Sequence, residues 1–378
     1  MRAERAPPEA VLSAVRSPFE EVAAHRLDPP LVQPLGLLLD LLGESLRERL
    51  FVVQAGDDEP EACLRTDFTI EALKAHLASG RQDGRYAYDG RAFRVAPAGS
   101  TRAEEFRQLG LEVFEPGDVV AADAEMAALA WRSACAGGRD DLTLVLGDVS
   151  LFSALADSLD LPRPLAMRLK RAFASPRKLR NELDRATGEA GQSRGRRLAE
   201  MLETMAEAEA SAVLEEIWDL AGIEPVGGRS AGEIVHRLAE RARLSRAPSL
   251  TGEQAELFNR FLAIEGDPGE AMAAVADLAP LANGRLAALR EAWARRVEAL
   301  CASGVPRERL RFSAAFGRAF GYYDGMVFEV RSAALGDDQP VAAGGRYDGL
   351  AERLGAAMST GAVGCMVRPG RAWAEAAP

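Results

Sequence analysis

The chain reads as an α+β protein: a strand-rich body interrupted by a helical insertion. Three observations predict this. Met326, Phe328 and Val330 alternate with Val327 and Glu329, the period-two signature of a strand, and short runs of the same kind recur before residue 150. Apolar residues at i, i+3 or i+4 spacing fill the middle of the chain. Strands and glycine bends then return from residue 309 to 368. The expected segments are 1–154, the first part of the body; 155–308, the helical insertion and connecting helices; and 309–378, the second part.

Taken in order, a helix is expected from about Pro8 to Arg26. Pro29-Pro30 then forces an extended stretch, because proline lacks a donor and restricts its predecessor. Leu35 to Leu50 has a helical pattern. Strands are expected at Leu50–Gln54, Arg85–Tyr88, Ala92–Val95 and Gly110–Phe114, and the alanine-rich run Asp123–Cys135 reads as a helix. In the middle region Ser230-x-x-Glu233 and Thr251-x-x-Gln254 are capping boxes, each preceding apolar residues such as Ile234 and Leu238. Gly227-Gly228 and Asp267-Pro268-Gly269 separate helices. In the last region Gly344-Gly345 breaks the apolar run Val341–Ala343.

With 378 residues, 48% of them hydrophobic, the chain can bury a substantial core. No run of eighteen apolar residues occurs, so no membrane span is expected, and the acid-bearing N-terminus does not resemble a signal peptide. A cytoplasmic protein is expected. Cys63, Cys135, Cys301 and Cys365 stand singly without C-x-x-C spacing, which predicts buried reduced thiols rather than zinc or disulfides. Only three histidines (His25, His76, His236) and three lysines (Lys74, Lys170, Lys178) are available for a metal site or a Schiff base, and no cofactor is expected. The net charge of −11 repels nucleic acid except where positive charge is concentrated. That happens between Leu161 and Glu200, where eleven Arg or Lys residues face four acids. The stretch, with Arg168, Lys170, Arg171, Arg177, Lys178 and Arg180, is either a contact surface for RNA or an acidic partner, or a solvated helix face.

Candidate site residues cluster in the two outer regions. Gly-Tyr-Tyr-Asp-Gly-Met-Val-Phe-Glu at 321–329 and Gly-Gly-Arg-Tyr-Asp-Gly-Leu at 344–350 place Tyr322, Tyr323 and Tyr347 beside glycines. Tyrosine has an apolar body and a polar tip, suited to a flat polar molecule such as an imidazole, although the same spacing fits a hairpin with packing tyrosines. Upstream, Asp67 and Thr69 lie two residues apart in Leu-Arg-Thr-Asp-Phe-Thr, where the carboxylate can meet an ammonium group. Gln108, Gly110 and Glu112 alternate on one strand face, and solvent-facing positions would show the same alternation.

The ordered set, Leu-Arg-Thr-Asp-Phe-Thr, Phe-Arg with Glu-Phe-Arg-Gln-x-Gly-x-Glu, Arg-Ala-Phe-Gly-Tyr-Tyr-Asp-Gly-Met-Val-Phe-Glu and Gly-Gly-Arg-Tyr-Asp-Gly-Leu, resembles the class II histidyl-tRNA synthetase core. More closely it resembles the synthetase-like regulatory subunits of ATP phosphoribosyltransferase, as does Leu-Gly-Asp-Val-Ser-Leu-Phe at 146–152. The resemblance covers about residues 10–155 and 311–368. It implies a class II synthetase-like, six-stranded antiparallel sheet flanked by helices, in a dimer whose interface lies near Pro29-Pro30. It also implies a histidine site. Asp67 stands where the synthetase has the acid that meets the amino group, Thr69 matches its neighbouring threonine, Gln108 would lie near the amino acid, and Glu112 would meet the imidazole. Tyr323 and Tyr347 match pocket tyrosines, and Arg318 matches the arginine serving the carboxylate or the activated phosphate.

The nucleotide half departs from the synthetase pattern. Arg94 matches the motif-two arginine, but Ala96 stands where a synthetase has the adenine-reading glutamate, and Pro97 replaces the next basic position. Arg102 matches a later loop arginine. Arg371 aligns with the adenine-stacking arginine of motif three, yet Pro369 and Gly370 are expected to disturb the helix presenting it. Arg94, Arg102 and Arg371 are thus expected to form a vestigial nucleotide site. The sequence ends at Pro378, where a synthetase continues into an anticodon-binding domain, so none is expected. The resemblance therefore implies a non-catalytic subunit that pairs with the short-form catalytic ATP phosphoribosyltransferase subunit and carries feedback inhibition by L-histidine. The expected assembly is a homodimer within a hetero-oligomer, without nucleic acid. The alternatives are a divergent class II histidyl ligase, against which Ala96 argues, and a synthetase-like RNA-sensing module that uses Arg168 to Arg180.

Overall fold

The computed structural model describes residues 1–54, 61–187, 201, 205, 207–221, 232, 235, 250–278, 284–317, 321–357 and 359–374. The chain divides into two units, Met1–Ser158 with Phe261–Pro378, and Leu159–Arg260. The second unit falls inside the span 155–308, whose remainder belongs to the first.

In the first unit α1 (Glu9–Glu20) buries Leu12, Val15 and Phe19, one apolar stripe at helical spacing. It is shorter than expected, and Arg26 lies instead in β1 (His25–Leu27). After the proline pair comes the extended β2 (Val32–Pro34). The helix expected over Leu35–Leu50 is two pieces: α2 (Leu35–Leu42) stops at Gly43, with φ +89°, and Glu44–Arg49 forms a 3-10 turn. β3 (Val52–Val53) and β4 (Ala62–Leu64) pair with β2 in a small sheet of order β2-β4-β3.

α3 (Thr69–Ser79) leads to β5 (Gly84–Phe93), a single strand where two short ones were expected. β6 (Glu105–Phe114) pairs with it residue for residue, from Gly84 opposite Phe114 to Phe93 opposite Glu105, and this ladder carries the polar Asp89-Gly90-Arg91 as strand. Asp118 accepts from the amides of Val120 and Ala121 to start α4 (Val119–Cys135). β7 (Leu142–Asp148) runs into α5 (Val149–Ser158). There buried Asp148 accepts from the Ser150 amide at 2.8 Å and the Trp293 indole at 2.7 Å.

The second unit comprises α6 (Arg163–Ala172), α7 (Pro176–Ala186), α8 (Glu207–Ala221) and the start of α9 (Gly252–Leu262). The Thr251 capping box forms in both directions. The Gln254 amide donates to Thr251 Oγ1 at 3.1 Å, and the Thr251 amide donates to Gln254 Oε1 at 3.0 Å. The Ser230–Glu233 box and Gly227-Gly228 lie outside the described residues. Arg163, Arg171, Arg177, Lys178 and Arg180 are exposed, while Arg168 pairs with Glu182 at 3.0 Å.

Back in the first unit follow β8 (Glu265–Gly266), α10 (Pro268–Asp277) capped by Asp267, α11 (Gly284–Ala302) and β9 (Leu310–Ser313). β10 (Met326–Ser332), β11 (Ala342–Arg346), α12 (Leu350–Arg353), β12 (Ala362–Val367) and α13 (Pro369–Ala372) complete the chain. The main sheet has nine strands in the order β1-β5-β6-β12-β11-β10-β7-β9-β8. The six central strands, β5 to β7 in that order, are antiparallel throughout. β1 joins β5 and β9 joins β7 in parallel, so the whole sheet is mixed. Gly344-Gly345 does not break the strand. Both glycines lie within β11, where a Cβ on Gly344 would stand 2.2 Å from the Gly364 carbonyl oxygen and 2.4 Å from the Phe328 ring.

α4 packs against β11 and β12 on one face of the sheet. Its fully buried Asp123 accepts from Arg346 Nε of β11 at 2.8 Å and from Arg296 Nε of α11 at 2.8 Å. The arginine of the Gly-Gly-Arg-Tyr motif is therefore a structural tie between layers. No helix among the described residues is long and apolar enough to cross a membrane.

Candidate functional site

The opposite sheet face carries a pocket, because period-two geometry lines up Gln108, Gly110 and Glu112 of β6, Tyr86 and Tyr88 of β5, and Gly364 and Met366 of β12. Asp67, Thr69, Tyr88, Arg94, Gln108, Glu112, Tyr322 and Tyr323 surround a cavity of about 20 Å³, room for about one water molecule.

Glu112 is the hub. It is 2% exposed, and its Oε1 accepts from the Thr69 hydroxyl at 2.9 Å and the Tyr88 hydroxyl at 3.2 Å. Its Oε2 accepts from the Tyr347 hydroxyl at 2.5 Å. Burial pushes the carboxyl up to about 7; the three hydroxyls pull it back down and the Asp67 charge adds to the rise. Burial and the nearby Glu112 charge push the Tyr88 and Tyr347 phenols well up, so both remain donors. Gln108 Nε2 donates to the Tyr88 hydroxyl at 3.3 Å, while its Oε1 is buried with no partner among the described residues. That acceptor and the Glu112 carboxyl are the polar groups a ligand would meet at the floor.

Glycine makes the room. A Cβ on Gly364 would fall 1.6 Å from Glu112 Oε2, and one on Gly110 would fall 2.2 Å from the Tyr88 hydroxyl. The rim is aromatic: the Tyr322 ring lies 4.6 Å from Tyr323 and 5.6 Å from Tyr347. Asp324 ties the two tyrosine segments together, accepting from the amides of Asp348 at 3.0 Å and Gly349 at 2.7 Å. Burial, with the Asp348 charge, pushes Asp324 up to about 6.

Of the residues singled out in the sequence, Asp67, Thr69, Gln108, Glu112 and Tyr323 line this one pocket, and Tyr347 stands behind Glu112 and bonds to it. Arg318 lies outside the described residues. Tyr88 was not singled out. Its signal was the alternation Tyr86, Tyr88 on a strand, but its place beside Glu112 depends on the β5–β6 register.

Of the three arginines expected to form a vestigial nucleotide site, Arg94 lines the pocket, donates from Nε to the Thr66 carbonyl at 3.1 Å and lies 5.3 Å from the Phe106 ring centre. Arg102 turns to exposed Asp338, with its Nε 2.9 Å from the carboxylate. Arg371 is buried and donates to the Pro340 carbonyl at 2.9 Å. Pro369 does not disturb its helix; it opens α13 at the first turn, where the missing amide costs nothing.

A family model described as histidyl-tRNA synthetase matches residues 4–226 and 228–368. An ATP phosphoribosyltransferase regulatory subunit of Mesorhizobium japonicum is 36% identical over 378 residues, covering 98% of each chain. One from Agrobacterium fabrum is 36% identical over 354 residues and covers 92% of each. A solved structure from Bacillus halodurans, described as an ATP phosphoribosyltransferase regulatory subunit/histidyl-tRNA synthetase, is similar with a TM-score of 0.66 at 18% identity. It covers 99% of this chain and 83% of its own, and supports the fold. The chain, with its class II synthetase-like sheet and full-length similarity to these relatives, belongs to the ATP phosphoribosyltransferase regulatory subunit family, a branch of the histidyl-tRNA synthetase fold.

Proposed function

We propose that this protein is a non-catalytic, cytoplasmic subunit that senses L-histidine for a short-form catalytic ATP phosphoribosyltransferase, the first enzyme of histidine biosynthesis, and carries its feedback inhibition. The observation that carries this reading is the buried Glu112 carboxyl held by three hydroxyls beside Gln108 and Asp67. An imidazole N–H replaces one hydroxyl as donor to Glu112, Asp67 and Thr69 receive the ammonium group, and the Tyr322–Tyr323 rim covers the ring. Arg318 stays assigned to the carboxylate. A donor arriving at Glu112 displaces one of the three hydroxyls it holds, so binding rearranges that network and is coupled to a change of shape. That coupling is the physical basis for inhibition at a distance, on the scale of about 1–3 kcal/mol.

The absence of ligase activity is supported by Ala96, which offers only its backbone amide, 3.5 Å from Glu104 Oε1, where a synthetase places its adenine-reading acid. Without adenine held in line with the carboxylate, histidine binds without being activated. Dimerisation is proposed at the exposed apolar residues Leu31, Val32 and Val52 next to Pro29-Pro30. Titration calorimetry with L-histidine, followed by copurification with a short catalytic subunit, tests the reading. Saturable binding and a complex are expected; neither binding nor complex overturns it.

A further inference from the structure

Beyond half-buried Arg94, the nucleotide side holds a fully buried cation. Arg368 is 4% exposed and lies 3.7 Å from the centre of the Phe106 ring, which it shares with Arg94. Neither its Nε nor its Nη2 makes an aligned hydrogen bond among the described residues, so its contacts are ionic and aromatic. Arg371, on the short helix α13 that Arg368 precedes, is 8% exposed. Burial lowers both guanidiniums, Arg368 to about 9 and Arg371 to about 10, and the neighbouring positive charges act in the same direction. Both remain charged at neutral pH, and desolvated cations packed this closely need an anion.

The chain supplies one from its own beginning. Glu4 Oε1 lies 2.7 Å from Arg368 Nη2 and 3.4 Å from Arg371 Nε, and Glu4 is itself mostly buried. Backbone pairing holds it there. The Glu4 amide donates to the Glu105 carbonyl at 2.7 Å, the Glu104 amide donates to the Arg2 carbonyl at 2.7 Å, and Arg5 lies 4.7 Å over Trp373. Gly370 makes the space: a Cβ there would stand 2.6 Å from the Arg5 carbonyl oxygen and 2.8 Å from Glu4 Cγ. Gly370, unfavourable for a helix, is thus explained by the segment packed on it.

We propose that the segment Arg2–Arg5 is a built-in plug, with the Glu4 carboxylate occupying the anion position between Arg368 and Arg371 and excluding phosphate-bearing ligands from it. This rests on reading Arg94 and Arg371 as the former nucleotide side, but not on histidine binding, which uses Glu112 and is measured separately.

Calorimetric titration of the full chain with inorganic pyrophosphate, and in parallel with ATP, tests the plug. Glu4→Gln keeps the backbone pairing and removes the charge, and Glu4→Ala is the second variant. The expected result is pyrophosphate binding at least about tenfold tighter in both variants than in the unmodified protein, lost again when Arg368→Gln is added to Glu4→Gln. A gain with ATP as well shows that a nucleotide fits; a gain with pyrophosphate alone confines the site to phosphate. Equal affinity in the unmodified protein and the variants, or no binding by variants shown to be folded by circular dichroism, overturns the proposal.

Discussion

The Tyr347 hydroxyl donates to Glu112 Oε2 at 2.5 Å, joining the end of β11 to β6 across β12. The contact makes the Gly-Gly-Arg-Tyr segment sensitive to whatever Glu112 binds, because a donor arriving at Glu112 competes with Tyr347 and the two other hydroxyls.

Glu112→Gln removes the acceptor charge while keeping the side-chain shape. Histidine affinity is expected to fall by about 1.5–3 kcal/mol, roughly ten- to a hundredfold, as a charge-assisted hydrogen bond is lost. Calorimetry at neutral pH reads this directly, with assembly unchanged.

The same residue sets a pH dependence. Its carboxyl titrates near 4.5 in the unfolded chain and at about 7 in the folded one, so between these values the folded state holds the extra proton. Stability contributed by Glu112 is therefore full below 4.5 and declines as pH rises towards 7, by an amount on the order of 3 kcal/mol. Asp324, raised to about 6, changes in the same direction. The check is the difference between unmodified protein and Glu112→Gln in urea unfolding from pH 4.5 to 7.5. A smaller decline is expected in the variant.

Gly364→Ala places a methyl group where Glu112 Oε2 now lies, at 1.6 Å. The carboxyl must leave its hydroxyls, so destabilisation of about 1–3 kcal/mol and loss of histidine binding are expected. Thermal unfolding and calorimetry read the two effects separately.

Asp123→Asn leaves Arg346 and Arg296 buried against a neutral amide. Removing one member of a buried ionic group costs about 3–5 kcal/mol, and urea denaturation should show a loss of that order.

Much of this arrangement is legible in the sequence. The alternation of Gln108, Gly110 and Glu112 places these three positions on one face, and the Thr251–Gln254 box appears with both of its hydrogen bonds. What was not legible depends on partners distant in the chain. Asp89-Gly90-Arg91 reads as a break yet is strand, because β6 pairs with it throughout. Gly344-Gly345 reads as a bend yet lies within β11, because the crowding that excludes a side chain there comes from Gly364 and Phe328. Tyr88 is marked only by its alternation with Tyr86, and Glu4 carries no local mark; register brings the first to Glu112, and pairing with β6 brings the second to Arg368.

Histidine sensing by this chain is read from the activity of a short-form catalytic ATP phosphoribosyltransferase subunit, assayed with and without this protein over a titration of L-histidine. Activity that requires this chain, falls with histidine and becomes insensitive to it in Glu112→Gln is the predicted result. Activity unaffected by the chain, or inhibition by histidine that is identical in Glu112→Gln, would contradict histidine sensing at Glu112.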